Sequence, residues 1–118
     1  MRLNKQEIKE GYKVVNTWKT KHRYFSFTYD VSLDGAIEYK VKEWVQPQQG
    51  CGPAAVFNNL ESAERFRMGL THAFSIFKCF YVPSKQKTLW VLDGSMHFNA
   101  CPTGTKLADA VYLTEEVK

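Results

Sequence analysis

Three cysteines and one of the chain's three histidines make up a possible metal-binding set. The set, which offers three sulfurs and an imidazole to a zinc ion, is Cys51, Cys79, His97 and Cys101. The spacing does not favour such a site, because structural zinc sites take ligands in close Cys-x-x-Cys pairs and the chain contains none. We therefore predict no metal and no cofactor, and we interpret Cys79 as a buried thiol within a strand.

Cys51 stands on a glycine–proline corner, between Gly50 and Gly52 and shortly before Pro53. A reactive thiolate needs a helix N-terminus or a cation beside it, and the next predicted helix begins too far along the chain. A strand follows the corner, whereas phosphate-binding glycine loops lead directly into a helix. The glycines are more simply explained by a tight turn. Cys51 and Gly52, with Asp109 after a second turn, remain candidates for lining a cleft.

A short basic segment between aromatic residues is the second feature that suggests chemistry. Its members are Trp18, Lys19, Lys21, His22, Arg23 and Tyr24. Cations that hold phosphates and rings that stack on bases are the two ingredients of single-strand nucleic-acid binding. A solvated turn between two strands is the alternative explanation. The segment is predicted to contact a partner or nucleic acid, without the signature of a known nucleic-acid-binding fold.

Composition and charge indicate a single globular domain over residues 1–118, with 44% hydrophobic and 24% charged residues. The net charge of +4 permits nucleic acid or an acidic protein as partner and demands neither. An odd number of cysteines, no apolar leader and no run near the roughly 20 residues of a membrane span together predict a cytoplasmic protein without a membrane partner.

Alternating apolar residues predict an α+β fold with a mostly antiparallel sheet of six or seven strands and one main helix. Strands are expected at residues 12–18, 24–31, 37–42, 54–57, 74–82, 88–93 and 110–114. The segment 74–82 is apolar on both sides, which predicts a central strand.

The main helix is expected at residues 59–68, with Asn58 or Asn59 as its cap. Leu60, Ala63 and Phe66 recur at helical spacing and predict the face that packs on the sheet, with Phe66 buried. A first short helix is expected over residues 4–10, and Gly11 ends it.

Two groups of residues resemble a known family. The first is Tyr39-Lys40-Val41, Trp44-Val45, Gly52-Pro53, Val56-Phe57 and Leu60-Glu61-x-Ala63-x-x-Phe66. The second is Pro102-x-Gly104-Thr105-x-Leu107-Ala108-Asp109-x-Val111-x-Leu113. Together they resemble a small uncharacterised domain of phage and bacterial open reading frames, over roughly residues 12–117. The resemblance implies a phage-type viral protein acting in a host cytoplasm, and it carries no catalytic residues to this chain.

Three functions remain open on these grounds. The leading one is a non-enzymatic protein that acts by binding a partner macromolecule, expected to be another protein. The first alternative is nucleic-acid binding through residues 19–23. The second is a small enzyme that acts on a nucleotide-like ligand near Cys51, Gly52 and Asp109.

Overall fold

A computed structural model describes residues 7–16, 24–25, 38–47, 53–68, 74–91, 94–97, 101 and 103–117. The strands are β1 (Lys9–Asn16), β2 (Tyr24–Phe25), β3 (Glu38–Tyr39), β4 (Trp44–Val45), β5 (Ala54–Phe57), β6 (Phe74–Pro83), β7 (Thr88–Val91), β8 (Gly94–His97) and β9 (Thr105–Glu116). The helix is α1 (Leu60–Met68).

The main sheet closes on itself through four strands. β6 pairs with β1 along one edge and with β9 along the other, which confirms its predicted central position. β5 then joins the far edge of β9 to the far edge of β1, where Tyr12 lies opposite Phe57. All four pairings are antiparallel. We call the strands β1, β6, β9 and β5 the closed sheet.

Every second side chain along these strands points into the closed sheet, and together these side chains form its interior. The buried members of this cluster are Val15, Tyr39, Ala54, Val56, Phe77, Cys79, Tyr81, Ala108, Val111 and Leu113. Because side chains alternate between the two faces of a strand, the residues between them point outward. One polar side chain, that of Lys13, is also completely buried.

Helix α1 covers part of the outer face. The Asn59 side-chain oxygen accepts a hydrogen bond from the Ser62 amide at 2.8 Å, which is an N-cap. Ala63 is completely buried against Val14 and Phe57 of the sheet. Phe66 is only partly buried, not buried as predicted. Its ring centroid nevertheless lies 5.3 Å from that of Phe57, so the predicted inner face of the helix is correct.

The mostly antiparallel α+β fold is thus confirmed, but the predicted six or seven strands are too many. Three of the strands bonded to the main sheet, β2, β3 and β4, contain two residues each, so its continuous part has fewer strands than predicted. β7 and β8 form a separate two-stranded sheet, and β8 was not predicted. Residues 26–37, which include most of the strand predicted at 24–31, lie outside the described residues.

The predicted first helix is wrong where the structure describes it. Lys9, Glu10 and Gly11 belong to β1. Gly11 does not end a helix; it lies opposite Cys79 in the pairing of β1 with β6. A Cβ atom at this position would lie 2.9 Å from the ring of Tyr81, so the glycine permits close packing in the interior.

Candidate functional site

Three aromatic side chains form a continuous row on the outer face of β6, β9 and β4. Tyr112 is paired with Phe80 on one side and with Trp44 on the other. The Tyr112 ring centroid lies 6.3 Å from that of Phe80 and 5.4 Å from that of Trp44, and both ring pairs are tilted. These are the distances of favourable aromatic contacts, so the three rings support one another. We call them the aromatic row.

The aromatic row is not fully covered by the described residues. Phe80 is 39% exposed, and Trp44 and Tyr112 are half-buried. Val41, which forms a bridge with Leu113 close to the row, is 36% exposed. Large apolar side chains that share one exposed face are typical of contact surfaces rather than of isolated surface positions.

Charges of both signs surround the aromatic row. Glu10 lies opposite Phe80 on β1 and is exposed. Lys78 is two residues before Phe80 on the same face, and its ammonium lies 3.8 Å from a Glu115 carboxylate oxygen. Lys42 and Glu43, both exposed, precede Trp44. An apolar centre with a polar rim is the anatomy of a protein–protein interface.

A second group of polar side chains lies inside the closed sheet. The Lys13 Nζ donates a hydrogen bond to the Ala55 carbonyl oxygen at 2.6 Å and lies 5.4 Å from the ring centroid of Tyr39. Within the described residues, the Tyr39 hydroxyl is buried and has no hydrogen-bond partner. Cys79 is buried in the same interior. An amine, a phenol and a thiol thus share one apolar compartment.

Burial dominates the protonation of these three groups. Removal from water lowers the pKa of the Lys13 amine to about 7, and the neighbouring Cys79 opposes this shift. Burial raises the pKa of the Cys79 thiol to about 12, while Lys13 and a backbone hydrogen bond from Gly11 act in the opposite direction. Burial also raises the pKa of Tyr39. The compartment therefore favours the uncharged form of every member.

Asp109 lines an open cavity of about 640 Å³. The other lining residues are Glu7, Val82, Pro83, Ser84, Lys85 and Gln86. Two carboxylates and one ammonium face this space, so its charge does not favour a phosphate group. Cys51 and Gly52, the other predicted cleft residues, lie outside the described residues, and the structure does not place them relative to Asp109.

The predicted basic segment also falls outside the described part of the chain. The structure does not describe Trp18, Lys19, Lys21, His22 and Arg23. For Tyr24 it describes only the backbone pairing with Tyr39. The proposed contact of this segment with a partner or with nucleic acid therefore stays a prediction.

Two of the sulfurs considered for zinc have described positions. Cys79 is buried in the closed sheet and Cys101 is partly exposed, and both are free thiols. Among the described residues, no three His, Cys, Asp or Glu side chains come together as a possible metal site. Cys51 and the His97 side chain are not described. The burial of Cys79 agrees with its interpretation as a thiol packed in a strand.

Sequence reasoning missed both clusters described above. Trp44, Phe80 and Tyr112 are between 32 and 68 positions apart in the sequence, and only the strand register aligns them. The sequence pattern placed Lys13 in a strand, but the strand face on which its side chain lies was not predicted. Its alternation with Gly11 and Val15 was a usable signal, since both neighbours of the same parity are apolar.

Comparisons with known protein families, with curated proteins and with solved structures found no match. In the part of the chain that the structure describes, no helix has the length and apolar character needed to span a membrane.

Proposed function

We propose that this protein acts without catalysis, by binding a partner protein through the aromatic row. The observation that supports the proposal is the alignment of Trp44, Tyr112 and Phe80 across three strands, with part of each ring exposed. Trp and Tyr are enriched among the residues that contribute most to protein-binding free energy. The paired strands beneath them and the contacts between the rings hold the side chains in place before binding, which reduces the entropic cost of association.

The charges around the row favour a protein over nucleic acid. Bases also stack on aromatic rows, but phosphates require cations beside the rings. Here Glu10, Glu43 and Glu115 are interspersed with Lys42 and Lys78. A mixed rim of this kind repels a polyanion at several points and offers hydrogen bonds to a protein surface. A protein partner with an apolar centre and charges of both signs fits best.

The biological setting follows from the family resemblance and is part of the same proposal. A small phage-type protein that acts in a host cytoplasm would work by occupying a surface of another protein. Nucleic-acid binding through Lys19, Lys21 and Arg23 is the alternative. An enzyme acting at Asp109 on a nucleotide-like ligand has less support, because Glu7 adds a second carboxylate to that cavity.

The experiment has two stages. Proteins captured by the immobilised chain are first identified, and the affinity of each purified candidate is then measured for the unmodified chain and for variants. We expect Trp44→Ala and Tyr112→Ala each to weaken binding by about 30-fold or more, because central aromatic anchors contribute at least about 2 kcal/mol.

Met68→Ala is the matched control, since Met68 is an 83% exposed apolar side chain on α1, away from the aromatic row. Circular dichroism must show that all variants fold. Equal affinities for the Trp44, Tyr112 and Met68 variants would overturn the proposal. The proposal would also be overturned if the immobilised chain retained nucleic acid alone. Self-association of the chain through the aromatic row that excludes other proteins would overturn it as well.

A further inference from the structure

The aromatic row continues into a carboxylate on the same outer face. Trp44 lies opposite Tyr112, Tyr112 opposite Phe80, and Phe80 opposite Glu10, so these four residues stand in line across β4, β9, β6 and β1. Neighbouring strands are about 4.8 Å apart, which gives the line a length of about 14 Å. Three rings followed by an exposed acid therefore form one linear surface that runs across the strands.

The open part of this surface is narrow. Along β6 and β9, the residues two positions away on one side of the row are the polar Lys78 and Thr114. Those two positions away on the other side, Val82 and Ala110, are buried. The exposed apolar strip is thus one ring wide, whereas an α-helix with its side chains is about 10–12 Å across. A strand would pair with the edge of a sheet rather than lie on its face. A narrow extended segment that lies across the rings fits this shape.

Polyproline II is the extended conformation whose dimensions match the row. It rises about 3.1 Å per residue with three residues per turn, so two prolines three residues apart lie on the same side, about 9 Å from each other. The ring centroids are separated by 5.4 and 6.3 Å, so the whole row is at most about 12 Å long and accommodates that spacing. The conformation leaves its carbonyl groups without internal hydrogen bonds. The indole N–H of Trp44 and the hydroxyl of Tyr112 are donors of the kind that these carbonyls need.

The charges around the row give such a ligand a direction. At the β1 end, Glu10 is exposed and lies on the same face as the rings. Lys78 has its own carboxylate partner, since its ammonium lies 3.8 Å from a Glu115 oxygen. At the β4 end, Lys42 and Glu43 are adjacent and of opposite charge, so they favour neither sign. Charge complementarity therefore favours a cation in the ligand beyond the β1 end of the row.

We propose that the partner segment bound by the aromatic row is a proline-rich stretch of the type Pro-x-x-Pro in the polyproline II conformation, with an arginine or lysine beyond the end that lies over Phe80. The prolines pack against the rings, and the basic side chain pairs with Glu10. Such segments are ordered before binding, so they lose little conformational entropy, and they dock on surfaces lined by aromatic residues. This inference rests on the proposed function, because it names the class of partner that the row binds.

Fluorescence anisotropy with labelled synthetic peptides tests this inference. The probes are peptides with a Pro-x-x-Pro core, varied residues between the prolines and a flanking arginine. Their controls replace both prolines by alanine, or the arginine by glutamate. We expect the best proline peptide to bind at least about tenfold more tightly than its alanine counterpart, because alanine loses both the ring contacts and the ordered backbone. Trp44→Ala and Tyr112→Ala should each weaken its binding by about tenfold or more.

Glu10→Lys separates the proposed ion pair from general effects of charge. It should weaken binding of the arginine peptide by about fivefold and strengthen binding of the glutamate peptide by a similar factor, as expected of an exposed ion pair. Glu64→Lys makes the same charge change at an exposed position on α1 and is the matched control. It should change either affinity by less than about twofold, because salt screens distant surface charges. Both positions are exposed, so this comparison keeps the test decisive if a ring variant does not fold.

Binding that requires the prolines, the rings and the charge of Glu10 supports the inference. Equal binding of the proline and alanine peptides, or no binding up to about 1 mM peptide, overturns it. Equal effects of Glu10→Lys and Glu64→Lys overturn the pairing with Glu10. If the peptides fail while Trp44→Ala still weakens binding of a captured protein, this inference is wrong and the proposed function stands. If Trp44→Ala has no effect on the captured protein either, both are wrong.

Discussion

Gly11 lies directly against the backbone of Phe57: a Cβ atom at Gly11 would be 2.7 Å from the Phe57 carbonyl oxygen. It would also be 2.9 Å from the Tyr81 ring, so the position is restricted on two sides. The backbone of Phe57 cannot move aside as the end of a flexible side chain can. The seam between β1 and β5 therefore depends on the absence of a side chain at this point, next to the Tyr12–Phe57 pair.

The first prediction follows from this contact. Gly11→Ala should lower the free energy of unfolding by about 2–3 kcal/mol, because the added methyl overpacks a rigid site. Urea unfolding monitored by tryptophan fluorescence measures the loss. Glu10→Ala, one residue earlier in β1 and exposed, is the control and should change stability by less than about 0.5 kcal/mol. A loss at Gly11 no larger than at Glu10 would show that the seam can widen freely.

Helix α1 gives a second prediction. Phe66 contacts Phe57 but remains partly exposed, so Phe66→Ala should cost about 2 kcal/mol rather than the roughly 3–5 kcal/mol of a fully buried ring. Met68→Ala, on the same helix and 83% exposed, should cost less than about 0.5 kcal/mol. Thermal or urea unfolding of the two variants provides the comparison. Equal losses of stability in the two variants would show that the apolar face of the helix has been assigned incorrectly.

Cysteine reactivity gives a third prediction. Burial raises the pKa of Cys79 to about 12 and also raises that of Cys101, but only Cys79 is fully enclosed. Thiolates are the reacting form, so Cys79 should be alkylated far more slowly than Cys101 in the folded chain at pH 8. Peptide mass spectrometry after iodoacetamide treatment resolves the two sites, and denaturation in urea should equalise them. Comparable rates in the folded chain would mean that the closed sheet opens readily.

The absence of metal was expected from ligand spacing, and it needs a direct measurement. Purified protein should contain much less than one zinc per chain by elemental analysis, because Cys79 is enclosed in the interior of the closed sheet and the chain has no close Cys-x-x-Cys pair. The triple variant Cys51→Ser, Cys79→Ser and Cys101→Ser would serve as the zero reference. A stoichiometric zinc content that this variant loses would contradict the expectation.

The sequence predicted those elements that local patterns specify. The helix was predicted because Asn58 or Asn59 can cap it and because Ala63 and Phe66 repeat at helical spacing, and the structure shows Asn59 as the cap. The central strand was found from its apolar content. Gly11 was misinterpreted because the same residue type ends helices and permits close strand contacts, and only the partner strand distinguishes the two uses.

The candidate site could not be predicted in the same way. The aromatic row exists only because Trp44 and Phe80 both lie opposite Tyr112, and strand register between distant segments is set by the whole sheet. Lys13 shares its strand face with Gly11 and Val15, which indicates burial, but the enclosure of that face depends on pairing with distant strands. Asp109 was chosen for its position after a turn, and its cavity is shared with Glu7 from the other end of the chain.

The last prediction separates protein binding from nucleic-acid binding. If Lys19, Lys21 and Arg23 hold phosphates, the logarithm of the affinity must fall with the logarithm of salt concentration. Each contact should contribute a slope of about 0.9 on duplex or about 0.7 on single strands. We expect the weaker outcome, namely low affinity with little sequence preference, because the basic segment is short and the net charge is only +4.

Fluorescence anisotropy with labelled single and double strands measures these slopes. Substituting all three basic residues by alanine should weaken this binding no more than the removal of three lysines elsewhere does, because such binding depends on overall charge rather than on one segment. Lys78, Lys85 and Lys106, which are exposed elsewhere, provide a charge-matched triple alanine control. Tight binding at physiological salt that disappears in the first variant and persists in the control, with a slope reduced by about two to three units, would replace the proposed protein partner by nucleic acid.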